Sequence, residues 1–299
     1  MRLKLTFFAT IAIAFPLAAS GQSLPPAARM TPRLLREVDR NPGAPVRVII
    51  GVADGTPTAR ALRIHPDPEG EPARRLQRIA AQQQIASEMA SEDFETGRFY
   101  ESFSMMAGRA SPSGLKALAA RPDVAWIALD GTKRPMQASP QNGQLLINSD
   151  QTNTKGFTGA GETIAILDTG IDYAIPSLGG PSFPNSKVIG GTDISDRDSD
   201  PMDCEGHGTD VAGVAAGPTG VAPDARIVAI KVFSSKTSSN AQCSDEAQDS
   251  DILGGINYAI TNRGAFGISV INLSLGGAFQ DDMAHGYCDS DEPAYADAF

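Results

Sequence analysis

The run Thr163-Ile-Ala-Ile-Leu-Asp168-Thr-Gly-Ile-Asp172, followed further on by Gly206-His207-Gly-Thr-Asp210-Val-Ala-Gly213, is the most informative part of this 299-residue chain. Residues 163–168 are apolar over a strand's length and deliver a carboxylate at the C-terminal end, where ligands and reacting groups gather in open α/β sheets. Gly170 lets the chain turn sharply there. His207 stands between two glycines at the start of a run of small residues (Thr209, Val211, Ala212, Ala215) that can pack tightly as a helix. A strand-end carboxylate and a helix-start histidine are two members of an acid–base–nucleophile set. Taken alone, Asp-Thr-Gly is ambiguous, because paired aspartates of that kind also form a carboxylate dyad. One copy, set among alternating strands and helices, argues against that all-β arrangement.

Outward from this stretch, the second half alternates strands and helices. Strands are predicted at 163–168, 187–190, 226–232 and 267–275, with helices opening near His207 and spanning 249–261. Apolar strands alternating with helices imply a doubly wound, mostly parallel sheet covered on both faces. The first half reads differently. A strand at 46–52 (VRVIIGV), a helix at 72–88 with apolar positions Leu76, Ile79, Ala80 and Ile85, a strand or hairpin over 98–110, a helix at 113–120 and a strand at 124–129 give, with the hairpin, the order β-α-β-β-α-β. That is the split βαβ pattern of a ferredoxin-like α+β domain. Residues 22–45 read as an exposed lead-in, and the Gln-, Asn-, Ser- and Pro-rich segment after Asp130 reads as a linker.

Composition excludes several classes. With 41% hydrophobic and 20% charged residues the chain is an ordinary globular protein. Residues 1–140 hold 18 Lys and Arg against 13 Asp and Glu, whereas 141–299 hold 7 against 22, so the two halves carry net charges of +5 and −15. Phosphates would be repelled by so acidic a half, so nucleic acid is no partner. Arg2 and Lys4 precede an apolar run from Leu5 to Ala19, interrupted by Pro16 and followed by small residues, as in a secretory signal peptide. The run is short of the ~20 residues a membrane span needs, so the expected product is secreted or periplasmic, with no membrane association after removal of residues 1–21. Cys204, Cys243 and Cys288 would then meet an oxidising compartment. A Cys204–Cys243 bridge is expected, with Cys288 free or awaiting a partner elsewhere, although connectivity does not follow from sequence.

The paired motifs resemble those of the subtilisin-like serine proteases. Gly220-Val-Ala-Pro-Asp-Ala-Arg-Ile-Val-Ala-Ile-Lys-Val232 and Val270-Ile-Asn-Leu-Ser-Leu-Gly-Gly277 extend the resemblance. It implies a subtilisin-like fold, with Asp168 as triad aspartate and His207 as general base. It also implies that Ser274, Leu275 and Gly276 form the strand that pairs with a polypeptide substrate, by edge addition. The first half resembles the inhibitory propeptide of these enzymes, a partner whose positive charge would favour docking on the acidic half. The implied organisation is a signal peptide (1–21), lead-in (22–45), propeptide (46–135), processing linker (136–157) and the N-terminal part of a peptidase domain (158–299).

Two departures stand out. Asp210 replaces the family's usual second histidine; it either raises the basicity of His207 or is a solvated acid favoured by the helix dipole. The nucleophile motif Gly-Thr-Ser-x-Ala-x-Pro and the oxyanion segment Ala-x-Gly-Asn are absent from the 299 residues. The expectation is therefore a C-terminally truncated serine endopeptidase, inactive as it stands. A non-catalytic protein using the same fold for peptide binding or self-association is the alternative. No cofactor is required. The acidic run from Asp193 to Asp203 offers oxygen ligands to calcium, or is a solvated loop.

Overall fold

In the first half the β-branched run Val46–Val52 (β1) is buried along almost its whole length and forms a central strand. A computed structural model describes residues 29–56, 68–136, 147–235, 244, 246–277 and 292–298. The expected signal peptide, His65, His285, Cys243, Cys288 and linker residues 137–146 lie outside the described residues. Before β1 comes helix α1 (Pro32–Arg40), and after it α2 (Glu71–Glu88), β2 (Phe94–Phe99), β3 (Met105–Ala110), α3 (Pro112–Ala120) and β4 (Val124–Leu129). The order from β1 onward is the expected β-α-β-β-α-β. The strands pair antiparallel in the order β2-β3-β1-β4.

Two expectations for this half are corrected. Residues 32–40 are not an exposed lead-in: the Thr31 hydroxyl caps Leu34 N–H, Pro32 opens the helix, and Leu34 is fully buried. Thr-Pro is a helix-start signal that the surrounding prolines and arginines obscured. Leu76 does not face the core; it is 75% exposed. The inner face of α2 buries Arg78, Gln82 and Ile85 instead. Gln82 accepts from Tyr100 N–H and donates to the carbonyls of Tyr100 and Phe103, closing backbone groups that the sheet leaves unpaired.

Next comes β5 (Thr132–Pro135), within the segment expected to be linker. The second half then supplies β6 (Thr163–Asp168), β7 (Val188–Asp193), α4 (His207–Ala216), β8 (Arg226–Lys231), β9 (Ala247–Gln248), α5 (Asp249–Thr261), β10 (Ile268–Leu273), β11 (Leu275–Gly276) and α6 (Pro293–Ala298). Strands β10-β6-β8-β7 form the expected parallel sheet. One face, with Ile166, Ile227 and Ala229, packs on Val211, Ala212 and Ala216 of α4. The other, with Leu167, Val228 and Ile230, packs on Ile252, Leu253 and Ile256 of α5. Among the described residues no helix is long and apolar enough to cross a membrane.

The two halves share a core. Ile49, Met105 and Ala107 of the first sheet, with Tyr100 and Phe103 of the connection between β2 and β3, enter the same apolar cluster as Leu253 and Ile256. Polar contacts ring it: Arg98 pairs with Asp251 at 2.7 Å, and Tyr100 Oη donates to the Ser250 carbonyl at 2.8 Å. Asp130 accepts from Ser250 N–H at 2.9 Å, so a carboxylate of the first half supplies the cap that α5 lacks from its own Gln248.

Candidate active site

Asp168 ends β6 with its side chain 1% exposed. The Thr169-Gly170 turn then lets α4 start almost on top of it. Gly170 has φ +113°, and a Cβ there would lie 2.7 Å from the carbonyl oxygens of Pro201 and Met202. At Gly208 a Cβ would meet the Gly170 carbonyl at 2.1 Å, so any larger residue would drive the helix away from the strand end. With both glycines in place, His207 Nδ1 lies 2.7 Å from Asp168 Oδ1. The structure thus brings together the two predicted triad members.

Burial raises the Asp168 pKa from the ordinary carboxylate range, against the His207 and Thr169 N–H bonds that favour the anion. Its Oδ2 is buried and has no hydrogen-bond partner among the described residues. Burial also opposes charging of His207, but the Asp168 bond and the carbonyl of Met136 prevail and its pKa is raised. Nε2 lies 2.7 Å from that Met136 oxygen. Both ring nitrogens therefore face acceptors, a setting that the imidazolium form satisfies with its two N–H donors. Asp210 is exposed on α4, in keeping with a solvated helix-start acid.

Sequence reading missed the residue that organises the helix start. Asp203 accepts from the backbone N–H groups of Glu205 (3.0 Å), Gly206 (2.9 Å) and Thr209 (3.0 Å), from Thr169 Oγ1 (2.9 Å) and from the Thr209 hydroxyl. Thr169 Oγ1 in turn accepts from Gly208 N–H at 2.9 Å. These bonds outweigh burial and lower the Asp203 pKa. A group with a depressed folded-state pKa contributes stability above its unfolded value, and the contribution is lost as pH falls through the folded one. Asp203→Asn is accordingly expected to cost about 2–3 kcal/mol at neutral pH and progressively less as pH falls below 3.8, for instance between pH 7 and pH 2. Urea unfolding midpoints at the two pH values check this, and an equal loss at both would contradict it.

The run divides: Asp198 and Asp200 are exposed, as in a solvated loop, whereas Asp193 and Asp196 are drawn inward. Asp193 is buried against Lys231 Nζ at 2.6 Å, Asp196 accepts from the hydroxyls of Ser234 and Ser235, and Asp200 accepts from Tyr173 Oη. Among the described residues no group of three His, Cys, Asp or Glu side chains is placed to hold a metal ion. Cys204 is disulfide-bonded; its partner lies outside the described residues.

Ser274, Leu275 and Gly276 lie beside the site, and their edge is already paired. β11 pairs antiparallel with β5, Leu275 opposite Pro135 and Gly276 opposite Arg134, and Met136 N–H donates to the Ser274 carbonyl at 2.9 Å. On its other side β5 pairs antiparallel with β9, Thr132 opposite Gln248 and Lys133 opposite Ala247. Sequence reading missed β9, whose two residues carry no periodic signal. A segment of the chain's own first half thus lies between two edges and ends with its carbonyl at the histidine.

Residues 159–297 match the model of the subtilase family. The chain is 39% identical over 161 residues to a thermophilic serine proteinase of Bacillus sp. (strain AK1), covering 52% of this chain and 35% of that protein. It is 34% identical over 170 residues to subtilisin E of Bacillus subtilis (strain 168), covering 54% and 39%, and 32% identical over 193 residues to alkaline serine exoprotease A of Vibrio alginolyticus, covering 60% and 33%. The chain thus spans well under half the length of these curated relatives. Among solved structures, fervidolysin from Fervidobacterium pennivorans, described as a keratinolytic enzyme related to subtilisin, has the same fold, with a TM-score of 0.51 at 17% identity over 86% of this chain and 38% of that one. The likeness to the subtilase family covers residues 159–297 of this chain.

Proposed function

We propose that the chain is the N-terminal part of a secreted subtilisin-like serine endopeptidase precursor. Asp168 holds the His207 imidazole in one orientation and compensates its positive charge, and His207 takes the proton of a serine that attacks a peptide carbonyl to form an acyl-enzyme. The serine and the oxyanion donor are not among these 299 residues, so the chain by itself is inactive in this reading. Residues 46–135 act as propeptide, residues 1–21 direct export, and processing falls within 136–144. Calcium remains an optional ligand, tested by titration calorimetry.

The observation that carries the reading is the Met136 carbonyl at 2.7 Å from His207 Nε2, at the end of a strand held between β11 and β9. A peptide that lies antiparallel along an edge and ends beside a general base occupies the place of a substrate, its carbonyl oxygen standing where the serine hydroxyl would meet Nε2. The test is fluorophosphonate labelling and peptide-anilide hydrolysis by the full-length gene product and by the 299-residue chain. Labelling of the former alone is expected. Turnover by the 299-residue chain, or an unlabelled full-length protein, would overturn the proposal.

A further inference from the structure

The strand in the cleft carries two basic side chains, and each meets a carboxylate of the second half. Lys133, three residues before Met136, places Nζ 2.7 Å from Asp249 Oδ1 and 3.6 Å from Glu292 Oε1, and lies over the Tyr295 ring at 5.2 Å from its centroid. Tyr295 Oη donates to the same Asp249 oxygen at 2.9 Å. Asp249 is 1% exposed, and its Oδ2 has no hydrogen-bond partner among the described residues. Arg134 meets Glu246 Oε1 through Nε at 3.0 Å and Nη2 at 2.6 Å.

The two pairs differ in weight. Arg134 and Glu246 are 70% and 38% exposed, so water screens them and their contribution is small. Lys133 and Asp249 are 14% and 1% exposed, which makes theirs a largely desolvated, charge-assisted bond. With an uncharged residue in place of Lys133, Asp249 would keep the Tyr295 hydroxyl as its side-chain partner among the described residues, beside Glu292, whose own partner is Arg33 at 2.7 Å. Unpaired buried charge is what makes such a site reject neutral side chains.

The geometry points to an acidic recess formed by Asp249, Glu292 and Tyr295 that selects lysine or arginine at the fourth residue before the scissile bond, with Glu246 adding a weaker preference for a basic third residue. The inference rests on the endopeptidase reading and names its substrate class as polypeptides with a basic residue three positions ahead of the cleaved one.

The test compares hydrolysis of acetyl-Lys-Arg-Pro-Met, acetyl-Ala-Arg-Pro-Met and acetyl-Lys-Ala-Pro-Met anilides by the full-length protein. Replacing Lys by Ala at the fourth position is expected to lower kcat/KM by about 10- to 100-fold, and Ala at the third position by about 2- to 5-fold. In Asp249→Asn the fourth-position ratio should fall to a few-fold. Equal cleavage of the Lys and Ala peptides would overturn the selectivity and leave the endopeptidase reading standing. Cleavage of none would sink the endopeptidase reading, and the recess is then judged in the 299-residue chain by amide exchange of residues 132–136. Faster exchange in both Lys133→Ala and Asp249→Asn would support the recess; unchanged protection would overturn it.

Discussion

Replacing His207 by alanine in the full-length protein is expected to lower kcat on a peptide substrate by about 10⁶-fold, and Asp168→Asn by about 10⁴-fold. The two losses differ because the residues do different things. Without His207 the site loses the group proposed to take the serine proton. In Asp168→Asn the imidazole keeps its place, but an amide can turn its N–H₂ toward Nδ1, which favours the tautomer with the proton on Nε2. That tautomer cannot act as a base toward a hydroxyl. Single-turnover kinetics check the prediction, with circular dichroism to show that both variants fold. Losses below about 10²-fold, the low end of what a positioned acid–base group contributes, would remove both residues from the mechanism. Asp168→Asn should also lower the His207 pKa, because the bond that overcomes burial in the native protein is gone. Imidazole proton shifts read this directly.

Lys231→Met is expected to destabilise the chain by about 3–5 kcal/mol, the usual cost of leaving one partner of a buried ion pair unpaired. Lys231 is 1% exposed and donates to Asp193 Oδ2 at 2.6 Å and to the Phe233 carbonyl at 2.7 Å. Burial already raises the Asp193 pKa, and loss of the ammonium would strand that carboxylate in the interior. The damage lies next to the site, since Lys231 is opposite Asp168 in the sheet and Val232 N–H donates to the Asp168 carbonyl at 3.0 Å. A lower urea midpoint with unchanged slope would show a stability loss without a change in the surface exposed on unfolding. A loss under about 1 kcal/mol would mean that Lys231 and Asp193 contribute little as a pair.

Much of the scaffold was legible because it depends on neighbours in the chain. The apolar run 163–168, the small residues after His207 and the β-branched run 46–52 each have one periodicity and one stable burial. Helix α1 and Leu76 were misread for the opposite reason. A single buried leucine, or a helix face that buries Gln82 to serve Tyr100 and Phe103, leaves no apolar period to detect.

The acidic run shows the limit most clearly. In sequence, Asp193, Asp196 and Asp203 are equivalent carboxylates in a loop, and a solvated loop or a calcium site fits them equally. In the fold each has different donors, at Lys231, at Ser234 and Ser235, and at Thr169 and Thr209, some more than thirty positions away. Sequence by itself determined the α/β alternation, the family motifs and the candidate pair Asp168 and His207, because strand, turn and helix start are local properties of the chain. Only the tertiary structure decided that residues 132–136 lie in the cleft, that Met136 faces His207, and that Lys133 and Asp249 pair. Those contacts join segments from 71 to more than a hundred positions apart, and their energy comes from backbone pairing and desolvated charge that no local pattern records.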